Sequence, residues 1–152
     1  MAGKRKHLRE SEESMILIIG GAWQGKLTFA TELARNALDS SISNNEIEEE
    51  HEIAEGSRDS FEAAMTCPII HGLHEYIRRL LREGKSVDAF LEAVWSQNPD
   101  VIITSDELGC GIVPFDPADR EWREVSGRAS VRLARISREV YRMVCGIATQ
   151  IK

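Results

Sequence analysis

Apolar positions in this chain form either unbroken runs or helical stripes, and their order outlines a fold. Met15-Ile16-Leu17-Ile18-Ile19 is an unbroken run, the signature of a strand buried on both faces of a parallel sheet. Behind it, Phe29, Ala30, Leu33, Ala37 and Leu38 recur at the spacing of an amphipathic helix. Residues 39 to 60 are polar: Ser40, Ser41, Ser43, Asn44 and Asn45 lead into Glu46, Glu48, Glu49, Glu50, His51, Glu52 and Glu55, with isolated isoleucines between them. That pattern predicts a solvated loop or a weak helix, a charge run rather than a metal site. Phe61 to Thr66 reads as a short strand. Leu73, Ile77, Leu80 and Leu81 mark one face of a helix ending near Gly84, with His71 and His74 at its start as surface or capping residues. Ser86 caps the next helix, whose buried face is Val87, Phe90, Leu91, Val94 and Trp95 and whose stop is Asn98-Pro99.

Residues 100 to 107 form the second apolar strand, Asp100-Val101-Ile102-Ile103-Thr104-Ser105-Asp106-Glu107, ending in two carboxylates. Residues 117 to 138 look helical, with a break near Ser126-Gly127, and carry several arginines; Arg128, Arg132 and Arg135 share a face. Val140 to Cys145 and Ile147 to Ile151, split by Gly146, predict two short closing strands. Strands alternating with helices point to an α/β fold with a mostly parallel sheet and a short C-terminal antiparallel strand.

The turn between the first strand and helix adds chemistry. Gly20-Gly21-Ala22-Trp23-Gln24-Gly25-Lys26 has the spacing G-x-x-x-x-G-K, in which glycines let backbone N–H groups turn toward one anion while the Lys reaches terminal phosphates. Leu27 stands where a Mg²⁺-ligating hydroxyl is expected, and Thr28 replaces it only if the loop shifts by one residue. Asp106 and Glu107 are the natural second half of such a site, because a triphosphate emerges at the carboxyl ends of the strands. Gly109-Cys110-Gly111-Ile112-Val113-Pro114 then suits a loop lying over a ligand.

Composition narrows the classes. With 152 residues, 42% of them hydrophobic, the chain accommodates one domain, placed at 15–152 behind a polar, disordered extension at 1–14. A net charge of −6 argues against general nucleic-acid affinity. An odd set of cysteines without C-x-x-C pairing, no apolar signal segment and no run of membrane-spanning length together predict a cytoplasmic protein without a membrane partner.

Three stretches resemble a known family. They are Thr104-Ser105-Asp106-Glu107-Leu108-Gly109-Cys110-Gly111-Ile112-Val113-Pro114, Arg120-Glu121-Trp122-Arg123-Glu124-Val125-Ser126-Gly127-Arg128, and Glu139-Val140-Tyr141-Arg142-Met143-Val144-Cys145-Gly146-Ile147. With the leading I-G-G-A-x-x-G-K, they resemble the adenosylcobinamide kinase/adenosylcobinamide-phosphate guanylyltransferase family of cobalamin biosynthesis. The resemblance implies a RecA-like P-loop NTPase fold in three layers, Mg²⁺, and GTP or ATP as substrate. It also implies phosphorylation of the aminopropanol hydroxyl of adenosylcobinamide, then transfer of GMP through a guanylylated histidine. Carried over by position, Gly20, Gly21, Ala22, Trp23, Gln24, Gly25, Lys26, Leu27 and Thr28 bind the nucleotide. Lys26, Glu107, Arg123 and Arg128 are the catalytic candidates, and Thr28 with Asp106 the metal candidates. Family members assemble so that neighbouring subunits help form the site, which implies a homo-oligomer.

The family's R-P-x-x-W-x-T-x-E stretch, which follows its guanylylated histidine, has no counterpart, and His51 is the only His in that interval. Alternative readings therefore stand beside the kinase: a nucleotide- or corrinoid-binding member impaired in catalysis, and an unrelated small P-loop kinase.

Overall fold

The computed structural model describes residues 14–39 and 52–152. In chain order the elements are β1 (Ile16–Gly20), α1 (Lys26–Asp39), β2 (Ile53–Glu55), a short 3-10 helix (Glu62–Met65), β3 (Ile69–His71), α2 (Leu73–Arg82), α3 (Val87–Gln97), β4 (Ile102–Asp106), α4 (Pro117–Ile136), β5 (Glu139–Val144) and β6 (Ile147–Gln150). The strands make one sheet in the order β2-β3-β4-β1-β5-β6. Every pairing is parallel except β5 with β6.

Consecutive residues of the inner strands divide between two cores, as the period of a strand requires. Leu17, Ile70, Ile103 and Val140 pack with α2, α3 and α4, through Tyr76, Ile77, Phe90, Val94 and Leu133 among others. Ile18, Ile69, Ile102 and Met143 face α1 instead, through Ala30 and Ala34. The result is a three-layer P-loop NTPase fold. Burial on both faces explains why β1 is apolar without alternation. Among the described residues no helix is long and apolar enough to cross a membrane.

Several expected elements differ. Phe61 to Thr66 is not a strand: Phe61 packs its ring against both Tyr76 and Phe90, which also touch each other, and Glu62–Met65 curls into the 3-10 helix. Asn98 secures that turn by donating from Nδ2 to the carbonyls of Ala64 and Cys67 at 2.9 and 2.8 Å. Within the polar stretch 39 to 60, Ile53–Glu55 is the edge strand β2, with Ala54 fully buried. The acidic run with His51, and nearly all of the N-terminal extension, lie outside the described residues. Helix α4 runs unbroken through Ser126-Gly127. Gly127 sits over open space, where glycine costs only its helix propensity of about 1 kcal/mol, while Ser126 on the inner side is buried. The closing strands form the expected hairpin, with Cys145 and Gly146 both at positive φ (52° and 76°), the backbone a tight two-residue turn demands.

Candidate functional site

At the carboxyl end of the sheet, β1 lies between β4 and β5, with Gly20 beside Asp106 on one side and Met143 on the other. A side chain at Gly20 would place its Cβ 2.7 Å from the Met143 carbonyl oxygen, so the tight β1–β5 approach requires glycine. The loop then turns through Trp23 and Gly25, at φ 60° and 90°. Gln24 ties it to the β5–β6 turn: its carbonyl accepts from Gly146 N–H at 3.1 Å, and its Oε1 accepts from Cys145 N–H at 2.6 Å. The Trp23 side chain is left in solvent, 99% exposed.

Lys26 opens α1, and among the described residues it is the only Lys or Arg that is buried, at 5% exposure. Its Nζ donates to the Gly21 carbonyl at 2.6 Å and pairs with Asp106 Oδ1 at 2.7 Å. The ammonium is thus folded over the loop and compensated by the strand tip.

Asp106 has a second partner that the sequence did not reveal. His74, near the start of α2, is not a surface or capping residue but buried, with Nδ1 accepting the Asp106 backbone N–H at 3.1 Å. Its Nε2 lies 3.4 Å from Asp106 Oδ2 and 3.7 Å from Glu75 Oε1. Burial lowers the His74 pKa, and the carboxylates of Asp106 and Glu75 only partly oppose this, so the ring is neutral near pH 7. With Nδ1 accepting, the proton belongs on Nε2, facing Asp106. Trp122 stacks on the ring and donates from Nε1 to the His74 carbonyl at 2.6 Å, and Arg78 lies 4.5 Å from the centroid of the Trp122 ring. His71 is the last residue of β3 rather than part of the helix, its Nδ1 2.8 Å from Thr104 Oγ1, which also accepts Gly72 N–H at 3.1 Å.

Glu107 faces a different cation. Its backbone N–H donates to the Gly20 carbonyl at 2.9 Å, and its carboxylate takes a two-pronged contact from Arg142 Nε and Nη2 at 3.1 and 3.2 Å. Arg142 pairs in register with Ile19, so this ion pair reaches from β5 across the tip of β1. The bonded Glu107 raises the Arg142 pKa further, leaving the guanidinium charged.

Arg123 and Arg128, carried over as catalytic candidates, make contacts within the protein on α4 and the loop before it. Arg123 donates to the carbonyls of Gly109 and Ile112, holding the loop after β4, and Arg120 does the same at Pro114 and Phe115. Arg128 is exposed and pairs with Glu124, one turn back on α4. The structure therefore brings Lys26, Asp106 and Glu107 together at the strand tips, and adds His74 and Arg142. Arg142 had no signal in the sequence, since only the β1–β5 register carries it to Glu107.

The resemblance implies Mg²⁺, and the donors present do not fit it. Helix α1 begins at Lys26, so the loop has not shifted, and Leu27 occupies the hydroxyl position with its side chain against the apolar cluster of Ile18, Ala30 and Ile102. Thr28 lies about 100° further round the helix and is exposed. Asp106 and Glu107 are held by Lys26 with His74 and by Arg142. Among the described residues no three His, Cys, Asp or Glu side chains converge as a metal site.

The sequence profile of the family described as cobinamide kinase / cobinamide phosphate guanyltransferase matches residues 41–151. A stretch of 52 residues is 40% identical to the bifunctional adenosylcobalamin biosynthesis protein CobU of Salmonella typhimurium, covering 34% of this chain and 29% of that protein. The protein of the same name from Escherichia coli is 38% identical over 52 residues, with the same shares covered. The chain thus spans less than a third of the length of the curated relatives it matches.

Proposed function

The chain belongs to the cobinamide kinase / cobinamide phosphate guanyltransferase family, and from that premise we propose that it serves cobalamin biosynthesis as a nucleotide-dependent kinase of adenosylcobinamide. The observation that carries this reading is Lys26, buried at the end of the glycine loop and paired with the neighbouring strand tip. Such a lysine is poised to exchange one anion, the carboxylate, for another, a phosphate.

In this reading the N–H groups of Gly20 to Lys26 cradle the triphosphate of GTP or ATP, and Lys26 moves from Asp106 to the terminal phosphates. Asp106, still held by His74, takes the proton of the aminopropanol hydroxyl as that oxygen bonds to the γ-phosphorus. The bond to the leaving nucleoside diphosphate breaks in the same displacement. Asp106 is the carboxylate aimed at the loop, whereas Glu107 is turned to Arg142. Trp23, Ile112, Val113 and Phe115 are exposed and offer apolar surface to a corrin ring. Guanylyl transfer stays outside the proposal, since His51 lies beyond the described residues.

A second reading, nucleotide or corrinoid binding without turnover, is favoured by Leu27 and by the ion pairs on both tip carboxylates. A turnover assay separates the two, using adenosylcobinamide with GTP or ATP, with and without Mg²⁺, and Lys26→Ala as control. Cobinamide phosphate that disappears in the control supports the kinase. No product, with nucleotide still bound, selects the second reading.

A further inference from the structure

We propose that this site takes the phosphates of its nucleotide without a divalent cation, Arg142 supplying beside Lys26 the positive charge that a metal ion would bring. The inference rests on the nucleotide-binding part of the function proposed above and says how that site is neutralised.

The first ground is the donor set. A metal at a phosphate loop leans on the hydroxyl next to the lysine, and here that position is Leu27, packed into the α1 core. No hydroxyl moves into its place, because the start of α1 at Lys26 fixes the register of the helix. Of the two tip carboxylates, Asp106 keeps the His74 ring on its other oxygen even after Lys26 leaves it, and Glu107 has both oxygens on Arg142.

The second ground is Arg142 itself. A triphosphate needs more than one cation to leave water, and Lys26 is the only buried Lys or Arg among the described residues. Arg142 stands opposite Ile19, one residue before the loop, and its guanidinium crosses the tip of β1 to reach Glu107. A guanidinium fork fits phosphate oxygens as well as it fits a carboxylate. The pair it now makes is half exposed on the arginine side and so is weak enough to trade for a phosphate. Even where it stays, Arg142 screens Glu107, whose unpaired charge would repel the nucleotide.

Calorimetric titration of the intact protein with ATP and with GTP tests this, once in EDTA and once with excess Mg²⁺. The expected result is dissociation constants that agree within about threefold, and an Arg142→Ala variant that binds about tenfold more weakly in EDTA, with Arg142→Lys in between. Leu27→Ser is expected to create a preference for Mg²⁺ that the wild type lacks. Wild-type binding that falls about tenfold or more in EDTA overturns the inference and leaves the nucleotide site standing. Metal-independent binding that ignores Arg142→Ala in a variant with an unchanged thermal midpoint overturns the role of Arg142. No wild-type binding in either buffer removes the nucleotide site and the inference with it.

Discussion

The loops that leave β1 and β4 start from paired strand tips, Gly20 beside Asp106, yet they are secured in different ways. The loop from Gly20 to Gly25 is short and fixed at both sides: backbone contact with Met143 at its start, Gln24 bonded to the β5–β6 turn, and Lys26 closing over it. The loop from Glu107 to Asp116 is longer and presents Ile112, Val113 and Phe115 to solvent. Two arginines of α4 hold it, by bonds to its backbone carbonyls. A fixed cradle suits phosphate, whose shape does not vary, and a loop held through side chains suits a large apolar acceptor that must enter and leave.

The largest expected effect that sharpens this contrast is at Lys26. Lys26→Ala should lower kcat/KM by about a hundredfold or more, as loss of a charge aimed at the transferring phosphate does elsewhere, checked by steady-state turnover. Glycine substitutions probe the loops directly. Gly20→Ala should cost about 1–3 kcal/mol in urea unfolding, because its Cβ meets the Met143 carbonyl, whereas Gly111→Ala, over open space, should change stability by less than about 0.5 kcal/mol. Equal costs at both positions would break the comparison. Arg123→Ala should raise KM for the corrinoid by about tenfold while leaving nucleotide affinity unchanged, since it loosens only the second loop.

The smallest effect concerns pH. Burial holds the His74 pKa below its ordinary 6.5, so the unfolded chain binds this proton more readily than the folded one. The stability His74 contributes is therefore complete above pH 6.5 and declines as the pH falls through that value toward the folded pKa. Unfolding measured across that range should show a steeper acid-side loss in the wild type than in His74→Asn.

The β1–loop–α1 unit was legible because each part has a strong local signal: an apolar run, paired glycines before a lysine, and a helical stripe. Strand β4 and the β5–β6 hairpin were legible for the same reason. Strands β2 and β3 were not, since Ile53–Glu55 and Ile69–His71 are too short for any period to register. Ser126-Gly127 misled because composition suggests a break where the inner face of α4 in fact continues through Val125, Ala129 and Leu133. His74 and Arg142 escaped for a further reason: each acts through a partner more than thirty positions away, Asp106 at the tip of β4 or Glu107 just beyond it, and no local pattern encodes that meeting.

Gln24 and its partner at Cys145 are separated by 121 positions along the chain. During synthesis the glycine loop emerges long before the turn that secures it, and β1 must wait for both of its neighbours, β4 and β5, to leave the ribosome. The secured form of the glycine loop should therefore mature late in folding, after the α2–α3 region has had time to collapse. A nascent chain stalled short of residue 145 would carry the whole glycine loop and still lack the turn that secures it.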